Sequence, residues 1–286
     1  MVGNFLVYVY FEFYIESMSM NSYLTLAKTV LEFGEWRDDR TGTGTYSLFS
    51  PSELRFDLSK GFPIVTTKRI AWKSVVWELL WFLRGETNAK WLSSRGVRIW
   101  NEWANENGDL GPVYGKQWRS WQGADGKTFD QIAMICDEIV QNPTSRRLVV
   151  SAWNVADISE MALPPCHILF QFYVSNLSLH LKVYQRSVDI FLGLPFNIAS
   201  YALLLEIIAK ITGKVPGNLH FTFGDAHIYR NHVDQIRLQL QREPFPLPRV
   251  SLPNIVTLSQ LQTLTANDFA LNGYTHHEEI RAPISV

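Results

Sequence analysis

The stretch HILFQFYVSNLSLHLKVYQR, residues 167–186, decides the fold of this protein. Its first half is rich in apolar and aromatic residues, and its second half alternates apolar with polar side chains, as in strands with one buried face. The residues SNLS at 175–178 separate the two halves and carry a turn signal. We therefore predict an antiparallel hairpin within a larger sheet.

A second apolar segment, NIASYALLLEIIAKI at 197–211, is hydrophobic on nearly every side and predicts a buried central helix that ends before Gly213. The remaining patterns predict helices at 22–33, 72–92 and 129–141 and strands at 46–49, 54–57 and 147–153. Long antiparallel strands and buried helices without a strict βαβ alternation predict a single α+β domain, with a large mixed or antiparallel sheet packed against buried helices.

The composition limits the classes of function that this protein can have. The 286 residues are 47% hydrophobic with a formal net charge of −1, which gives no general attraction to nucleic acid or to anionic membranes. The two cysteines lie 30 positions apart and form no CxxC motif, so neither a disulfide framework nor a redox motif is expected. We expect a reducing, cytoplasmic location.

The first 17 residues, MVGNFLVYVYFEFYIES, are unusually aromatic and apolar. They lack the basic start of a signal peptide, and they are too short to span a bilayer. We expect residues 1–21 to be an extension ahead of a domain at 22–286, or a translation start assigned too early, with Met18 or Met20 as the true start. An added edge strand or a partner contact remain alternatives.

Cys166, at the start of the hairpin in LPPCHILFQF (163–172), is a candidate nucleophile. Neighbouring side chains of a strand point to opposite faces, so His167 is disfavoured as its base and a hydrolase-type pair is not favoured. A reactive thiolate needs a nearby cation, and Arg186 lies on the facing arm of the hairpin. The alternative is a buried structural cysteine.

Glu78 stands in the apolar run VVWELLWFL at 75–83. A carboxylate buried there costs several kcal/mol unless it is paired or protonated. This predicts a proton-transfer group with a raised pKa, and the alternative is an exposed carboxylate at the rim of the helix.

Several polar residues could hold an anionic ligand. Arg40 precedes the glycine-containing TGTGT loop, Arg146 and Arg147 open a predicted strand, and Arg186 closes the hairpin. Their planar forks could converge on one phosphate, although each taken singly is as well explained as a solvated arginine. Asn197, at the predicted start of the central helix, is either a helix cap or an amide that pairs with a ring.

The segment GDAHIYRNH at 224–232 supplies two further candidates. His227 and Tyr229 are two positions apart, so on a strand they share one face and could grip a sugar hydroxyl. The spacing of His227 and His232 fits no common metal motif, and no metal site is predicted.

Nine collinear motifs in this chain resemble those of the thymidylate synthases, over about 22–286. They are DRTGTGT (39–45), FPIVTTKR (62–69), ELLWFLRGETN (78–88), IWNEW (99–103), GDLGPVYGKQW (108–118), SRRLVVSAWN (145–154), MALPPCH (161–167), YQRSVDIFLGLPFNIASYA (184–202) and GDAHIYRNH (224–232). The resemblance implies this family's fold, with the sheets of a homodimer packed back to back. It also implies the methylation of dUMP to dTMP by 5,10-methylenetetrahydrofolate, with release of dihydrofolate.

The resemblance also implies roles for particular residues. Cys166 would attack C6 of the uracil, while Glu78 and Tyr114 would transfer protons. The dUMP ligands would be Arg40, Arg186, Ser187, Asp189, Asn197, His227 and Tyr229, with Arg146 and Arg147 from the partner subunit. The folate side would comprise Ile99, Trp100, Trp103, Asp189, Leu192, Gly193, Phe196 and the tail RAPISV with Ser285. Arg186, Asn197 and Asp189 are counted with the catalytic group as well.

Two features depart from the family pattern, namely the N-terminal extension and Ser285, where a small apolar residue is usual. The serine puts the tightness of tail closure in question.

The nearest rival function is a deoxyuridylate hydroxymethylase of the same fold, in which water captures the one-carbon unit. Trp100, expected to exclude water, argues against it. Asn197 argues against a cytosine-selective relative. A non-catalytic RNA-binding relative is a rival from another class, but no RNA-binding motif is present.

Overall fold

The computed structural model describes residues 20–285, and the predictions for residues 1–19 lie outside them. The helices are α1 (Met20–Phe33), α2 (Trp72–Leu83), α3 (Ala89–Ser93), α4 (Tyr114–Ser120), α5 (Gln131–Gln141), α6 (Gly193–Ile211) and α7 (Val233–Leu240). The strands are β1 (Glu35–Arg37), β2 (Thr45–Phe49), β3 (Leu54–Asp57), β4 (Trp121–Gln122), β5 (Thr128–Phe129), β6 (Val149–Ser151), β7 (His167–Ser175), β8 (Ser178–Asp189), β9 (Val215–Tyr229), β10 (Arg249–Ser251) and β11 (Ala270–Asn272).

A seven-stranded mixed sheet forms the centre of the molecule. Its order is β1-β2-β9-β8-β7-β6, and β3 also pairs with β9. The predicted hairpin is β7 and β8, which pair antiparallel with Ser175 opposite Ser178 across the turn. Strands β8 and β9 run parallel, with α6 as the crossover between them. The predicted α+β class and mixed sheet are confirmed.

The central helix α6 fills the core against β8 and β9. Thirteen of its 19 residues are buried, as its uniformly apolar sequence predicts. It is long and apolar enough to cross a membrane, but 72% of that window is buried inside the protein, which is typical of a core helix. The sheet presents Phe170 and Phe172 to this core, while Tyr173, on the other face of β7, is 63% exposed.

Two predicted helix boundaries are wrong for local reasons. The helix predicted at 72–92 is two helices, because Gly85 adopts φ of +77° after α2 and Asn88 caps α3 by accepting the Lys90 N–H at 2.9 Å. Helix α6 begins at Gly193 rather than at 197, because Pro195 is tolerated within the first helical turn. Asn197 therefore lies inside the helix and is not its cap.

Candidate functional site

The candidate residues gather at one end of the sheet. Strands β8 and β9 run parallel and finish there, with Asp189 opposite His227. Strand β7 runs against β8, so its first residues, next to Cys166, lie beside the end of β8. Strand β2 begins at the same end, with Thr45 opposite Tyr229. The topology thus brings four separate segments of the chain to Cys166.

Cys166 is half-buried and held on both sides of its peptide. Its N–H donates to the hydroxyl of Tyr114 at 2.8 Å, and its carbonyl accepts the N–H of Arg186 at 2.8 Å. The guanidinium of Arg186 donates to the carbonyls of Pro165 at 2.7 Å and Pro164 at 3.0 Å. These four hydrogen bonds fix the backbone around Cys166 and therefore the position of its sulfur.

Burial and nearby charges have opposing effects on the pKa of the Cys166 thiol. Burial raises its pKa above the usual range, the charges of Arg186 and Arg40 lower it in part, and Asp189 adds to the rise. The effect of Arg186 has the predicted sign, but burial outweighs it. The free site consequently holds a thiol, and its proton must be transferred when the sulfur reacts.

His167 is not available as a base for Cys166. Its Nδ1 lies 2.6 Å from the hydroxyl of Tyr201, and its ring stacks on Tyr114 with centroids 4.2 Å apart. Burial lowers its pKa to about 3, so the imidazole is neutral. The ring is thus part of the aromatic core, and the Cys–His pair that the sequence left open has no support.

Glu78 is buried on α2, and its Oε1 accepts the indole N–H of Trp100 at 2.8 Å. Burial raises the pKa of its carboxyl to about 7, and the indole hydrogen bond opposes that rise only in part. The predicted burial and raised pKa are confirmed. A carboxyl that titrates near neutrality can both give and take a proton at physiological pH.

Tyr114, the first residue of α4, lies between Trp100 and Cys166. Its ring centroid is 5.9 Å from that of Trp100, and its oxygen receives the Cys166 N–H. Burial and, secondarily, the negative form of Cys166 raise its pKa well above the usual value, so the phenol keeps its proton. Because its oxygen accepts from Cys166, its own O–H can be directed at a bound ligand.

Arg40 lies on a loop that its sequence shapes. Gly42 and Gly44 adopt φ of +72° and +78°, which favours glycine. The carboxylate of Asp39 accepts the N–H groups of Thr41 at 3.0 Å and Gly44 at 2.8 Å. Arg40 itself is exposed, and no side-chain hydrogen bond of it is found within residues 20–285, so its guanidinium is free to meet a ligand.

Arg146 and Arg147 are not part of this end of the sheet. They precede β6, whose Val149 pairs with Gln171 of β7. At about 3.3 Å per residue, they lie roughly 20 Å along the sheet from Cys166. Both are exposed. One chain therefore does not bring these two arginines to its own Cys166.

The ends of β8 and β9 and the start of α6 carry the other predicted dUMP residues. Nδ1 of His227 lies 3.0 Å from Asp225, and its ring is 5.1 Å from that of Tyr229, so the two share a face as predicted. Ser187 is half-buried on β8. Asn197 is also half-buried, and its amide makes no hydrogen bond with any other described residue.

Asp189 closes β8 and organises the turn into α6. Its Oδ1 accepts the N–H groups of Phe191 at 2.8 Å and Leu192 at 3.2 Å. Burial raises the pKa of this carboxyl, but His232 and His227 together with these N–H groups hold it below its usual range. Asp189 is therefore an anion in the free protein.

The predicted folate-side residues form two apolar groups and a tail. Ile99, Trp100 and Trp103 lie in the turn after α3, and Leu192, Gly193 and Phe196 form the start of α6. Ser285 lies against the Arg40 loop, with its hydroxyl 3.3 Å from that of Thr43 and 3.4 Å from Nδ2 of Asn231. The hydroxyl of Ser285 thus adds contacts between the tail and the rest of the protein, so its polarity does not weaken the tail's attachment.

Two residues of this region were not singled out from the sequence. Lys68 is buried, with its ammonium bonded to the Phe191 carbonyl and 3.4 Å from the centre of that ring, and burial lowers its pKa to about 7. Gln185 is fully buried next to Arg186, and neither amide atom has a partner among residues 20–285. The alternation of β8 could have found Gln185, since it shares the face of Leu181 and Val183.

Within the described chain, no group of three or more His, Cys, Asp or Glu side chains is placed to hold a metal ion. The site is instead built from one cysteine, two carboxyls of different pKa, the exposed Arg40, an arginine bound to backbone carbonyls and an unpartnered amide beside apolar surfaces. Compared with known protein families, residues 21–286 match the family model described as thymidylate synthase.

Proposed function

The chain belongs to the thymidylate synthase family, whose members bind dUMP and use methylenetetrahydrofolate, and we propose that it is itself a thymidylate synthase. It would convert dUMP and 5,10-methylenetetrahydrofolate to dTMP and dihydrofolate. The observation that carries this proposal is the fixation of Cys166 between Tyr114 and Arg186, with the unpartnered Asn197 amide at the same end of the sheet.

The sulfur of Cys166 is proposed to add to C6 of the uracil, as its proton leaves. C5 then gains the electron density of an enolate and can bond to the one-carbon unit of the folate, after which its own proton leaves. The bond between the one-carbon unit and the folate nitrogen then breaks, which leaves an exocyclic methylene on C5 and frees tetrahydrofolate. Transfer of a hydride from tetrahydrofolate to this methylene and release of the Cys166 sulfur complete the methyl group and leave dihydrofolate. The two proton transfers at the ring suit Glu78, which titrates near 7, and the phenol of Tyr114.

The remaining polar residues would hold dUMP in place. Arg40 and Arg186 with Ser187 are proposed for the phosphate, and His227 and Tyr229 for the sugar hydroxyl. The Asn197 amide would pair with the uracil edge. The carboxylate of Asp189 would serve both ligands, because it lies at the end of β8 and also fixes the turn into α6.

The folate would lie between Ile99, Trp100 and Trp103 on one side and Leu192, Gly193 and Phe196 on the other, under the tail at Ser285. Trp100 would also keep water from the reacting carbon. The two free cysteines, Cys136 and Cys166, are compatible with the cytoplasmic location that we propose. A domain at 22–286 preceded by an extension at 1–21 remains part of the proposal.

One assay with two measurements tests the function. The protein is mixed with dUMP and methylenetetrahydrofolate, dihydrofolate is followed by absorbance, and the nucleotide is identified by mass. We expect dTMP and dihydrofolate in equal amounts. A hydroxymethylated nucleotide without dihydrofolate would identify the hydroxymethylase instead, and no reaction together with RNA binding would identify the non-catalytic relative.

Asn197→Asp is expected to reduce the preference for dUMP over dCMP by roughly tenfold to a hundredfold, because an acceptor replaces the amide donor that faces the ring. The KM values for both nucleotides measure the effect. Asn272→Asp, on the distant strand β11, is the control. If dCMP remains as poor a ligand as in the wild type, Asn197 does not read the base.

Arg146 and Arg147 are proposed to serve the partner subunit of a homodimer packed through its sheets, since they lie far from Cys166 of their own chain. The double variant Arg146→Ala/Arg147→Ala and the variant Cys166→Ala are each expected to lose most activity. After the two are mixed, unfolded and refolded together, activity should return, because a mixed dimer then holds one complete site. If the mixture stays as inactive as its components, the arginines do not act across subunits.

A further inference from the structure

His232 is a buried imidazole that the proposed mechanism does not use. It directly precedes α7, and its side chain has no exposed surface. Its Nε2 lies 2.7 Å from the carbonyl oxygen of Pro283 in the C-terminal tail. Its Nδ1 lies 3.7 Å from Oδ1 of Asp189, which is an ion-pair distance but longer than a hydrogen bond. One ring therefore lies between the tail and the site's carboxylate.

Both ring nitrogens of His232 face oxygen atoms that can only accept. A carbonyl needs an N–H on Nε2, and a carboxylate favours a second proton on Nδ1. Burial opposes the charged ring, but Asp189 and the Pro283 carbonyl raise the pKa of His232 above its usual value, against the ammonium of Lys68. The positively charged form therefore satisfies both neighbours.

His232 is packed between aromatic rings and the Asp189 carboxylate. The rings of Phe191 and Tyr229 lie with centroids 5.4 and 5.5 Å from the imidazole. On its far side, the Asp189 carboxylate fixes the turn into α6 through two backbone N–H groups. A change at the imidazole would thus be felt at the tail and at this turn together.

We propose that His232 is a positioning residue that fastens the C-terminal tail to Asp189, so that the tail and the turn at 189–193 take up their arrangement around the folate together. The inference rests on the proposed function only in naming folate as the ligand beneath the tail. The link between tail and carboxylate is a property of the chain alone.

Two variants and a control test this link. His232→Leu removes both contacts. His232→Gln keeps a side-chain N–H able to reach the Pro283 carbonyl but cannot carry charge. His180→Leu is the matched control, because Nδ1 of His180 also bonds a backbone group, accepting the Asn218 N–H at 3.0 Å, at the start of β8 and away from the tail. Release of C-terminal residues by carboxypeptidase Y reports on the tail without any need for turnover.

His232→Leu is expected to release its tail several times faster than the wild type and to raise the KM for methylenetetrahydrofolate about tenfold, with the KM for dUMP within about twofold. His232→Gln, which keeps only the N–H to the Pro283 carbonyl, should release its tail at a rate between those of the wild type and His232→Leu, and the control should behave as the wild type. The proposal would be overturned if His232→Leu released its tail at the wild-type rate, or if the control variant changed the release rate and the KM as much as His232→Leu does. A protein that makes no dTMP but shows these release rates would refute the function and retain the link.

If His232→Leu does not fold, the wild type and His232→Gln still decide. His232 loses its charge as the pH rises through its pKa, so tail release in the wild type should accelerate with pH relative to His232→Gln. The ratio of the two rates removes the pH dependence of the carboxypeptidase itself. A ratio that stays constant with pH would contradict the charged link between the tail and Asp189.

Discussion

Replacing Cys166 with alanine is expected to abolish turnover, lowering kcat by a factor on the order of 10⁵ or more, while dUMP binding changes by less than about tenfold. The alanine removes the only protein atom proposed to form a covalent bond to the ring. It leaves the phosphate and ring contacts in place, and the backbone bonds from Cys166 to Tyr114 and Arg186 do not need the sulfur. Initial rates and equilibrium dialysis with dUMP measure the two effects.

The covalent step itself can be seen by mass. With 5-fluoro-dUMP and methylenetetrahydrofolate, the wild type should gain the mass of both ligands, because fluorine cannot leave from C5 as a proton does. Cys166→Ala should gain neither. Cys136→Ala is the matched control, since Cys136 is a buried cysteine on α5 whose pKa burial raises to about 12. Turnover by Cys166→Ala, or an adduct on it, would remove Cys166 as the nucleophile.

The sequence predicted the elements of this fold well where a period was strong. In β8, apolar and polar residues alternate because only one face of the strand is buried. In α6, nearly every residue is apolar because the helix is buried on all sides. Both patterns can be recognised from neighbouring residues alone. The exceptions were two helix boundaries, each of which is set by the conformation of a single residue. Gly85 ends α2 inside a pattern that stays helical on both sides, and Pro195 fits the first turn of α6, which therefore starts before its apolar run.

The site was less accessible, because its geometry depends on contacts between distant segments. Position 166 suggested a nucleophile, but its environment depends on Tyr114, 52 residues away, and on the carbonyls that Arg186 binds. The burial of Glu78 could be predicted because an acid inside an apolar helix is itself unusual. Nothing in the sequence alone placed the tail carbonyl of Pro283 on His232, since neither residue breaks a local pattern.

Replacing Glu78 with glutamine is expected to lower kcat by about 10² to 10⁴, the usual contribution of a positioned acid or base. Glutamine has the same shape, and its amide oxygen can still accept the indole N–H of Trp100, so the packing of α2 is kept. The amide can neither give nor take a proton near neutrality. In the wild type, the carboxyl changes its protonation at about pH 7. The corresponding inflection in the pH profile of kcat should be absent from Glu78→Gln.

The same carboxyl has a predictable effect on stability. Its pKa rises from 4.5 to about 7 on folding, so between these values the native state holds a proton that the unfolded chain releases. The free energy of unfolding therefore falls as the pH rises through this window. Glu78→Gln removes that loss, and its Tm relative to the wild type should be higher at pH 8 than at pH 5.

The variant Glu206→Gln separates the effect on stability from the effect on activity. Burial raises the pKa of Glu206 to about 7 as well, but it lies 13 residues along α6 from Gly193, roughly 20 Å from the site at 1.5 Å per residue. Both variants should therefore show the same sign of pH-dependent stability, and only Glu78→Gln should lose activity. If both variants lose activity equally, or if Glu78→Gln keeps the wild-type kcat and its inflection, then Glu78 is a buried carboxyl without a part in proton transfer.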